Sequence, residues 1–359
     1  MSAPVRVVAT LAGGPDAPAL RVRSLIPSEA LRDAGVVVRS APLFTRDEAD
    51  LFSTVGPIRK ARMLRRAHRR SLARMRSDGA PIVVIHRQAD LTPSLAVERA
   101  AAQDRRLVYD LDDAIWLSGS RLAGGSRLAM LKRSSRKAQW LAAAAEQVIA
   151  GNDLLAEWLS QHASEVTVIP SLVDTARIEP RRHTDRRELV LGWIGSPTTA
   201  PYLHRITTPI KRLARGLTDR EVRLLLVGAP GSVQLDGVSC EHLAWSDEAE
   251  RVALSRMDIG LMPLPDNAWT RGKCSYKAIQ YMAAGVPVVA DDVGTAESTI
   301  QGGGYVVGDD NHWTEALLAL AQDEALRSRL GRAGRRRVVT NYSVERWARP
   351  LAALLKGEA

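Results

Sequence analysis

Two lysines and a glutamine recur at helical spacing within one stretch, RGKCSYKAIQYMAAGVPVVA, which covers residues 271–290. At roughly 100° of rotation per residue, Lys273, Lys277 and Gln280 form one narrow polar stripe opposite an apolar face. Positive charge near the start of a helix opposes the helix dipole unless a bound anion compensates it. The stretch therefore predicts a contact to a diphosphate, with a solvated polar face as the alternative.

A second group of polar residues closes two apolar runs. Asp110, Asp112 and Asp113 follow LVY, and His86 and Arg87 close PIVVIH. Alternation along a strand places Asp110 and Asp112 on one face and Asp113 on the other. Because no complementary ligand cluster accompanies them, we expect no metal. We expect these residues in a cleft, where Asp112 orients a hydroxyl group or stabilises positive charge. Helix capping by Asp112 or Asp113, and a structural role for His86, are the alternatives.

Glycines and hydroxyl groups follow two further apolar runs. Gly13 and Gly14 come after VRVVAT, and Gly195, Ser196 and Thr198 come after LVLGWI. Glycine lets the backbone approach a ligand, and small hydroxylated residues suit contact with a phosphate. A plain turn and an ordinary helix N-cap are the alternatives. The loop with Gly13 and Gly14 lacks the GxGxxG spacing of a dinucleotide fingerprint.

These residues need a scaffold that brings strand ends together. Runs of β-branched residues alternate with helical stretches, which predicts βαβ units, parallel sheets and an α/β fold. Open α/β sheets bind ligands at the carboxyl ends of their strands, so the residues after each strand are the site candidates. The predicted strands are 5–10, 36–44, 81–86, 106–113, 147–152, 166–174, 189–195, 222–228, 238–245, 258–264, 286–292 and 304–309.

One polar segment, TARIEPRRHTDRRE, interrupts this alternation and is typical of a linker. It predicts a doubly wound domain over 1–175, a linker over 176–188, a second doubly wound domain over 189–340 and a helix over 341–359. A helix is also expected over 129–145. A chain of 359 residues exceeds what one hydrophobic core usually serves, which favours two domains.

The composition limits the cellular compartments and the binding partners that we expect for the protein. The net charge is +10, which favours anionic partners, although a codon bias toward arginine would also produce it. Two cysteines distant in sequence, Cys240 and Cys274, indicate reduced thiols. The N-terminus has no signal-peptide pattern, and no apolar run approaches the ~20 residues that span a bilayer. We expect a cytoplasmic protein, attached at most to the inner face of the plasma membrane.

The densest charge lies in IRKARMLRRAHRRSLARMRSDG, which predicts an amphipathic basic helix over 58–76. Docking to an anionic membrane, binding of an acidic acceptor and binding of nucleic acid are three interpretations, and a solvated outer helix is the fourth. Nucleic acid is disfavoured because no aromatic platform accompanies the charge. The predicted apolar stripe is Ile58, Ala61, Leu64, Leu72 and Met75. The predicted anion patch is Arg62, Arg65, Arg66, Arg69 and Arg70.

Several of these motifs together resemble glycosyltransferase family 4. GWIGSPTTAPYL, LLLVG, DIGLMPL, YKAIQYMAAGVPVVADDVGTAES and RSRLGRAGRRRVVTNYSVERWA resemble its donor-binding domain. GGPDAPALRVR, LVYDLDDAIW, VIAGNDLLAEWL and VTVIPSLVDTARI resemble its acceptor-side domain. The resemblance covers almost the whole chain in order, and MAAGVPVVA is its most specific part.

The resemblance implies a GT-B architecture, in which two Rossmann-like doubly wound domains face each other across a cleft. The last helix would return to the first domain. It implies hexosyl transfer from a UDP- or GDP-linked sugar, with retention and without a metal or other cofactor. The acceptor would be a lipid-linked or surface-polysaccharide intermediate or a secondary metabolite. A sugar-nucleotide epimerase of the same fold, and a non-enzymatic binder of anionic membrane or nucleic acid, remain alternatives.

The sequence departs from the family at the positions that would hold the donor. Gly272 and Gln280 occupy the places of a family pair of glutamates, so only Gln280 offers a side chain, to the ribose. Ser196 and Tyr202 stand where the family often has Arg and Lys. Lys273 and Lys277 would then replace that pair at the diphosphate. The position of the family's site histidine corresponds best to Asp112, and Glu297 matches a family glutamate near the donor.

Overall fold

The structure is a computed structural model that describes residues 3–117, 134–184 and 187–358. Parts of the predicted helix over 129–145, of the linker over 176–188 and of the terminal helix lie outside the described residues. The chain divides into two units. Unit 1 comprises Met1–Leu172, Asn267–Cys274 and Val344–Ala359, and unit 2 comprises Val173–Asp266 and Ser275–Ser343.

Unit 1 is built on a six-stranded parallel sheet with the order β2-β1-β3-β4-β5-β6. Its strands are β1 Val5–Leu11, β2 Val36–Ser40, β3 Ile82–His86, β4 Arg106–Leu111, β5 Gln147–Ala150 and β6 Val166–Val168. The central strands read as unbroken apolar runs because helices cover both faces of the sheet. This is one of the two common doubly wound orders, and its chain reverses direction between β1 and β3.

Helices are numbered along the chain, and nine lie within the described residues of unit 1. They are α1 Pro18–Leu20, α2 Ser28–Asp33, α3 Arg46–Thr54, α4 Pro57–Ser77, α5 Ala96–Ala102, α6 Ser134–Ala144, α7 Asp153–Leu159, α10 Ala268–Arg271 and α15 Val344–Lys356. A π-helical turn, Arg21–Leu25, joins α1 to α2, and a 3₁₀ turn, Ile115–Leu117, follows β4. Leu351 and Leu355 of α15 pack in the same apolar cluster as β1.

Unit 2 is a second six-stranded parallel sheet, with the order β12-β11-β10-β7-β8-β9. Its strands are β7 Glu188–Ile194, β8 Glu221–Val227, β9 Ser239–Leu243, β10 Ile259–Met262, β11 Val288–Asp291 and β12 Gly304–Val307. Numbered within the unit this order is 6-5-4-1-2-3, the strand order of a Rossmann sheet, and the chain reverses between β7 and β10.

Helices of unit 2 cover both faces of its sheet. They are α8 Thr207–Gly216, α9 Asp247–Arg256, α11 Tyr276–Ala283, α12 Ala296–Ile300, α13 Asp310–Gln322 and α14 Glu324–Asn341, with 3₁₀ turns at Thr175–Arg177 and Ala200–Ile206. The terminal helical region breaks at Asp323, whose carboxylate caps α14 by accepting from Leu326 N at 2.8 Å. The predicted α/β class and doubly wound halves are confirmed.

One part of the sequence division differs from the structure. The sequence assigned 189–340 to one domain, but Asn267–Cys274 packs within unit 1. Trp269 and Cys274 of this segment pack against the apolar cluster that contains Leu111 and Leu155. The contact arises because small residues, Gly151 and Gly272, let the segment approach α7 and the end of β4. Spacing along the chain carries no signal for such a contact.

Candidate functional site

The crevice of unit 1 lies at the carboxyl ends of β1 and β3, where the strand order reverses. The loop after β1 carries Gly13 and Gly14, and Arg87 follows β3 directly. The two loops are joined by a hydrogen bond from Ala12 N to the Gln88 carbonyl at 2.7 Å. This places three sequence-predicted residues at one edge of the sheet.

Gly14 is required there by packing, because a Cβ atom would approach Ala49 Cβ to 2.6 Å. A Cβ atom on Gly13 would meet Ala17 Cβ at 3.1 Å, which is tight but adjustable. Close approach of α3 to this loop therefore explains Gly14. Donor contact by the backbone of both glycines stays a prediction.

Asp110 and His86 form a buried network inside unit 1. The guanidinium of Arg23 donates to both carboxylate oxygens of Asp110, at 2.9 Å from Nε and 2.6 Å from Nη2. His86 Nδ1 lies 2.7 Å from Asp110 Oδ2, and His86 Nε2 lies 2.6 Å from the hydroxyl of Ser24. Arg23 also donates to the carbonyl of Ile169 at 2.8 Å. Burial opposes ionisation of Asp110, but Arg23 and His86 outweigh it and hold the pKa of Asp110 well below its usual range.

The expectation that His86 and Asp110 line an open cleft is wrong. Their exposed fractions are 2% and 3%, and they face each other in the register of β3 and β4. Both border an internal cavity of about 20 Å³. Their side chains join the ends of β3 and β4, which favours the structural alternative for His86. Sequence reasoning missed Arg23, whose partner is 87 residues away.

Arg87 gathers the other two carboxylates into one cluster. Its Nε and Nη2 donate to the two oxygens of Asp112 at 2.5 and 3.0 Å, and its Nη2 lies 3.5 Å from Asp113 Oδ2. Lys273 Nζ lies 3.5 Å from Asp113 Oδ1 and 5.3 Å from the ring centroid of Trp269. Arg87 adopts φ +60°, a left-handed conformation that non-glycine residues rarely take and that concentrates at functional sites.

The contacts of Arg87 contradict the predicted placement of Asp112 and Asp113 on opposite faces of the strand. They also determine which chemistry Asp112 can perform. Asp112 and Asp113 share Arg87, whereas Asp110 pairs with Arg23. Burial opposes ionisation of Asp112, but the charge of Arg87 outweighs it and lowers the pKa of Asp112. Asp112 is thus a carboxylate at neutral pH. It is suited to accept a hydroxyl proton in a hydrogen bond or to stabilise a cation, and not to donate a proton.

Cys274 and Asn152 fix the segment that carries Lys273. Cys274 Sγ donates to the carbonyl of Asp112 at 3.3 Å, and Asn152 Nδ2 donates to the carbonyl of Gly272 and to Cys274 Sγ, each at 3.3 Å. Burial raises the pKa of the Cys274 thiol to about 12, and the charge of Asp112 adds to this. Cys274 is therefore a structural thiol and not a nucleophile.

Gly272, which departs from the family motif, is required by packing. A Cβ atom at this position would lie 2.7 Å from Ala114 Cβ. Restoring the family residue with Gly272→Glu is expected to lower the free energy of unfolding by about 1–3 kcal/mol, the usual cost of overpacking. Differential scanning calorimetry would measure it. Gly231→Glu is the matched control, since nothing lies within 4 Å of the Cβ position there. Equal stability of the two variants would contradict the packing account.

The crevice of unit 2 lies between β7 and β10, where its strand order reverses. Tyr281 of α11 bridges these strands by accepting from Ile194 N at 2.9 Å and donating to the carbonyl of Leu261 at 3.2 Å. Gly260 leaves room for its ring. Burial raises the pKa of Tyr281, so its hydroxyl keeps the proton that it donates. The hydroxyl thereby satisfies backbone groups at the point where the strands part.

The loop after β7 folds into a tight turn through its own hydroxyl groups. Thr199 Oγ1 accepts from Ser196 N at 3.3 Å, and the hydroxyls of Ser196 and Thr198 lie 2.8 Å apart. A Cβ atom on Gly195 would collide with the ring of Trp193, so only glycine fits. The turn leads into the 3₁₀ helix Ala200–Ile206, which has no side-chain cap, so the N-cap alternative fails.

Lys277 lies beside this loop. Its Nζ lies 5.6 Å from the ring centroid of Trp193, the buried indole at the end of β7 on which Gly195 also packs. The indole holds the ammonium by a cation–π contact. Gln280 is 3% exposed, and its side chain makes no hydrogen bond to any residue that the structure describes. An ammonium and an amide thus lie on one helix, and the ammonium contacts the indole on which the glycine of this loop packs.

The predicted single stripe of Lys273, Lys277 and Gln280 is wrong in one respect. The helix α11 begins at Tyr276, after Ser275 in a left-handed conformation, so Lys273 precedes it and packs in unit 1. Lys277 and Gln280 remain on α11, and Ala278, Ile279 and Met282 are buried as expected. The left-handed residue breaks the helical phase on which the prediction depended.

Glu297 lies in the first turn of α12, where it is exposed. The loop before α12 is tied to α11 by a hydrogen bond of 2.9 Å between the hydroxyls of Ser275 and Thr295. The start of α11 and the loop that leads to Glu297 therefore lie together. A first-turn acid is also favoured by the helix dipole, and donor contact by Glu297 stays a prediction.

The basic helix is α4, and its exposed face includes Arg62, Arg65, Arg66 and Arg69. Arg70 does not belong to this patch, because it pairs with Glu48 at 2.5 and 2.8 Å and donates to the carbonyl of Leu43. Its hydrogen bond lowers the pKa of Glu48 to about 2. The predicted apolar stripe is also corrected, since the helix buries Ala67, Ser71 and Met75, whereas Ile58 is 72% exposed.

Across residues 3–117, 134–184 and 187–358, no group of three or more His, Cys, Asp or Glu side chains could hold a metal ion. Over the same described ranges, no helix has the length and apolar character needed to cross a membrane.

Known structures define the class of the fold. HepE from Anabaena in complex with UDP-glucose is 14% identical, with 99% of this chain and 100% of that chain covered and a TM-score of 0.67. Sucrose-phosphate synthase from Thermosynechococcus elongatus is 16% identical, with 98% of each chain covered and a TM-score of 0.66. WaaG, a glycosyltransferase involved in lipopolysaccharide biosynthesis, is 14% identical over 98% of this chain and all of that chain, with a TM-score of 0.66. The fold is that of GT-B glycosyltransferases.

A family model identifies the second half more narrowly. Residues 188–323 match the family described as glycosyl transferases group 1. The resemblance predicted from the sequence motifs is confirmed. No curated protein matches the chain.

Proposed function

We propose that the protein transfers a hexosyl group from a UDP- or GDP-linked sugar to an acceptor, with retention and without a metal. The observation that carries the proposal is the position of Lys277 over Trp193, beside the loop after β7. A cation, a glycine loop and the reversal point of a nucleotide-binding sheet meet there. The group 1 glycosyltransferase domain over residues 188–323 supports it.

The proposed chemistry is stabilisation of the leaving group. As the bond between sugar and diphosphate breaks, the diphosphate oxygen gains negative charge. The Lys277 ammonium and the backbone N–H groups of the loop from Gly195 to Thr198 would stabilise this charge. Gln280 would hydrogen-bond the ribose, and Glu297 would contact the donor. Lys277 and the loop would need little reorganisation, because Trp193 and the turn already fix them.

Residues of unit 1 take the remaining proposed roles. Asp112, held as a carboxylate by Arg87, would orient an acceptor hydroxyl or stabilise positive charge on the sugar ring. Lys273 beside Asp113 is a second proposed cation for the diphosphate. We propose as acceptor a lipid-linked or surface-polysaccharide intermediate or a secondary metabolite; the likeness to WaaG favours the first two.

A nucleotide screen tests the proposal. The melting temperature is measured with UDP, GDP and their glucose and mannose conjugates, and nucleotide release from each conjugate is followed over time. A transferase is stabilised by one nucleotide and slowly releases it by hydrolysis when no acceptor is present. Conversion to an isomeric nucleotide sugar without nucleotide release would favour the epimerase alternative. No stabilisation and no release would overturn both.

A peripheral membrane location is a further part of the proposal. The exposed arginines of α4 adjoin Ile58, whose side chain is 72% exposed, which gives a basic surface with an apolar anchor. Such a surface suits the anionic inner leaflet of a plasma membrane.

Removing three of these charges is expected to weaken membrane binding. At ~1 kcal/mol per basic residue, the triple variant Arg62→Gln, Arg65→Gln, Arg66→Gln should lower partition onto phosphatidylglycerol vesicles roughly 10²-fold. Co-sedimentation measures it, with phosphatidylcholine vesicles as the neutral surface. The control is Arg32→Gln, Arg136→Gln, Arg349→Gln, three exposed arginines elsewhere in unit 1. Equal losses in both triples would show that net charge alone is responsible.

A further inference from the structure

A second basic concavity lies in unit 2, away from the loop after β7. We call it the α14 pocket; its volume is about 560 Å³. Four of its residues lie on α14 and the others in the segment before β7 and at the start of the turn before β11. The lining residues are Pro180, Arg181, Arg182, His183, Gly285, Ser328, Arg332, Arg335 and Arg336.

Two glycines create the α14 pocket by letting α14 approach the turn between α11 and β11. A Cβ atom on Gly331 would collide with the carbonyl of Gly285, and it would lie 3.3 Å from His183 Nε2. Gly285 itself has φ +68°, which favours glycine. This close approach brings the arginines of α14 beside the segment 180–183.

The basic residues at the base of the pocket each have a structural role. Arg181 pairs with Asp258 at 2.5 Å, and His183 Nε2 lies 2.8 Å from the Gly285 carbonyl. Arg335 donates to the carbonyls of Ala283 and Thr175. His183 and Arg335 contact carbonyls at the end of α11, where the charge of Arg335 complements the helix dipole.

The outer arginines have no such explanation. Arg182, Arg332 and Arg336 are exposed, and none forms an ion pair with a carboxylate of any described residue. Arg332 donates to the hydroxyl of Ser328 at 2.6 Å. Arg332 and Arg336 are one helical turn apart, a spacing at which like charges repel. Three uncompensated guanidinium groups around a concave surface, and no acidic lining residue, create a strongly positive potential.

We propose that the α14 pocket binds a multiply charged, phosphate-bearing anion. Guanidinium groups suit this ligand because their forked donors match phosphate oxygens in pairs. A volume of about 560 Å³ admits several phosphate groups or a phosphorylated small molecule. The fixed inner groups provide a rigid floor, and the ligand would remove the repulsion among Arg182, Arg332 and Arg336.

The α14 pocket is distinct from the proposed donor site. The segment 180–183 precedes β7 and Gly285 precedes β11, so the pocket lies at the amino ends of these strands. The loop that carries Gly195 follows the carboxyl end of β7. The two sites therefore lie at opposite edges of one sheet, and the α14 pocket does not depend on the proposed transfer reaction.

Calorimetry with sodium tripolyphosphate tests the proposal on the full chain. The double variant Arg332→Gln, Arg336→Gln is expected to bind at least about tenfold more weakly than the unmodified protein, because charge-assisted hydrogen bonds are lost. The matched control is Arg329→Gln, Arg349→Gln, which removes two exposed arginines outside the pocket and should bind normally. Because the proposed donor site would also accept linked phosphates, the titration is repeated with Lys277→Met, which should keep the binding that the double arginine variant loses.

A second arm identifies the source of the phosphate. Phosphatidic acid vesicles present the same group on a lipid, and co-sedimentation is measured for the same variants. Binding of tripolyphosphate that only the pocket variant loses supports a soluble ligand. Binding of vesicles alone, again lost only in the pocket variant, supports a lipid headgroup. Absence of saturable binding in both arms, or equal losses in the pocket and control variants, overturns the proposal.

Discussion

Replacing Lys277 with methionine is expected to lower kcat/KM for the nucleotide sugar by roughly 10²–10³-fold, the usual cost of one lost donor at a developing negative charge. Methionine keeps an unbranched apolar stem over the Trp193 ring, so packing changes little. The loss should appear in kcat as well as in nucleotide affinity, because the charge that Lys277 compensates grows in the transition state. Steady-state nucleotide release with the donor found in the screen measures both.

The control for this prediction is Lys211→Met, which removes a lysine from the surface of the same unit. Lys211 pairs with Asp236 at 3.2 Å, and the carboxylate is fully exposed, so little activity should be lost. Unchanged kcat/KM in Lys277→Met would contradict the role of the ammonium at the diphosphate. A similar loss in both variants would indicate a general effect of net charge instead.

The sequence predicted the scaffold well because each strand carries its own local signal. Every predicted strand range overlaps an observed strand, since buried parallel strands read as short apolar runs bounded by turns. Once the strands are predicted, the residues at their carboxyl ends are known as well. For this reason Arg87, Asp112 and Ser196 were correctly predicted to follow strands. The order of the strands in each sheet could not be predicted in this way, because the pairing of two distant strands leaves no pattern in the sequence of either strand.

The candidate site was predicted less well because its chemistry depends on partners. Asp110 and His86 were expected to be accessible, but Arg23 lies 87 residues before Asp110 and buries it. Asp112 and Asp113 were assigned to opposite faces, yet the chain leaves the strand at Leu111 and turns both toward Arg87. Alternation applies only while the backbone stays extended.

Lys273 and Lys277 show the same limit within one motif. Their spacing fits a helix, but Ser275 at φ +48° separates them, and they pack in different units. The proposed role of Lys277 depends on its contact with Trp193, which lies 84 positions earlier in the sequence. No helical periodicity relates these two residues. The only sequence signal for this contact is that Trp193 is the aromatic residue near the end of the strand before the glycine loop.

Replacing Arg23 with methionine is expected to lower the free energy of unfolding of unit 1 by about 3–5 kcal/mol, because Asp110 would be left as a buried charge without its main partner. Both side chains are 4% exposed. The matched control is Arg46→Met, which breaks an Arg–Asp pair of similar geometry, with Asp16 at 2.8 Å, that solvent reaches. Its cost should be much smaller, because solvent screens an exposed ion pair. Hydrogen exchange of the β3 and β4 amides assigns the loss to unit 1.

The pH dependence of this difference distinguishes a lost charge pair from simple loss of packing. The folded pKa of Asp110 is depressed, so its contribution is fully present above the unfolded value of ~4 and is lost as pH falls toward the folded value. Without Arg23, burial raises the pKa of Asp110, and the variant holds a neutral acid already in mild acid. The gap between the two proteins should therefore narrow as pH falls from 7 to 4. A constant gap would mean that Arg23 acts only by filling space.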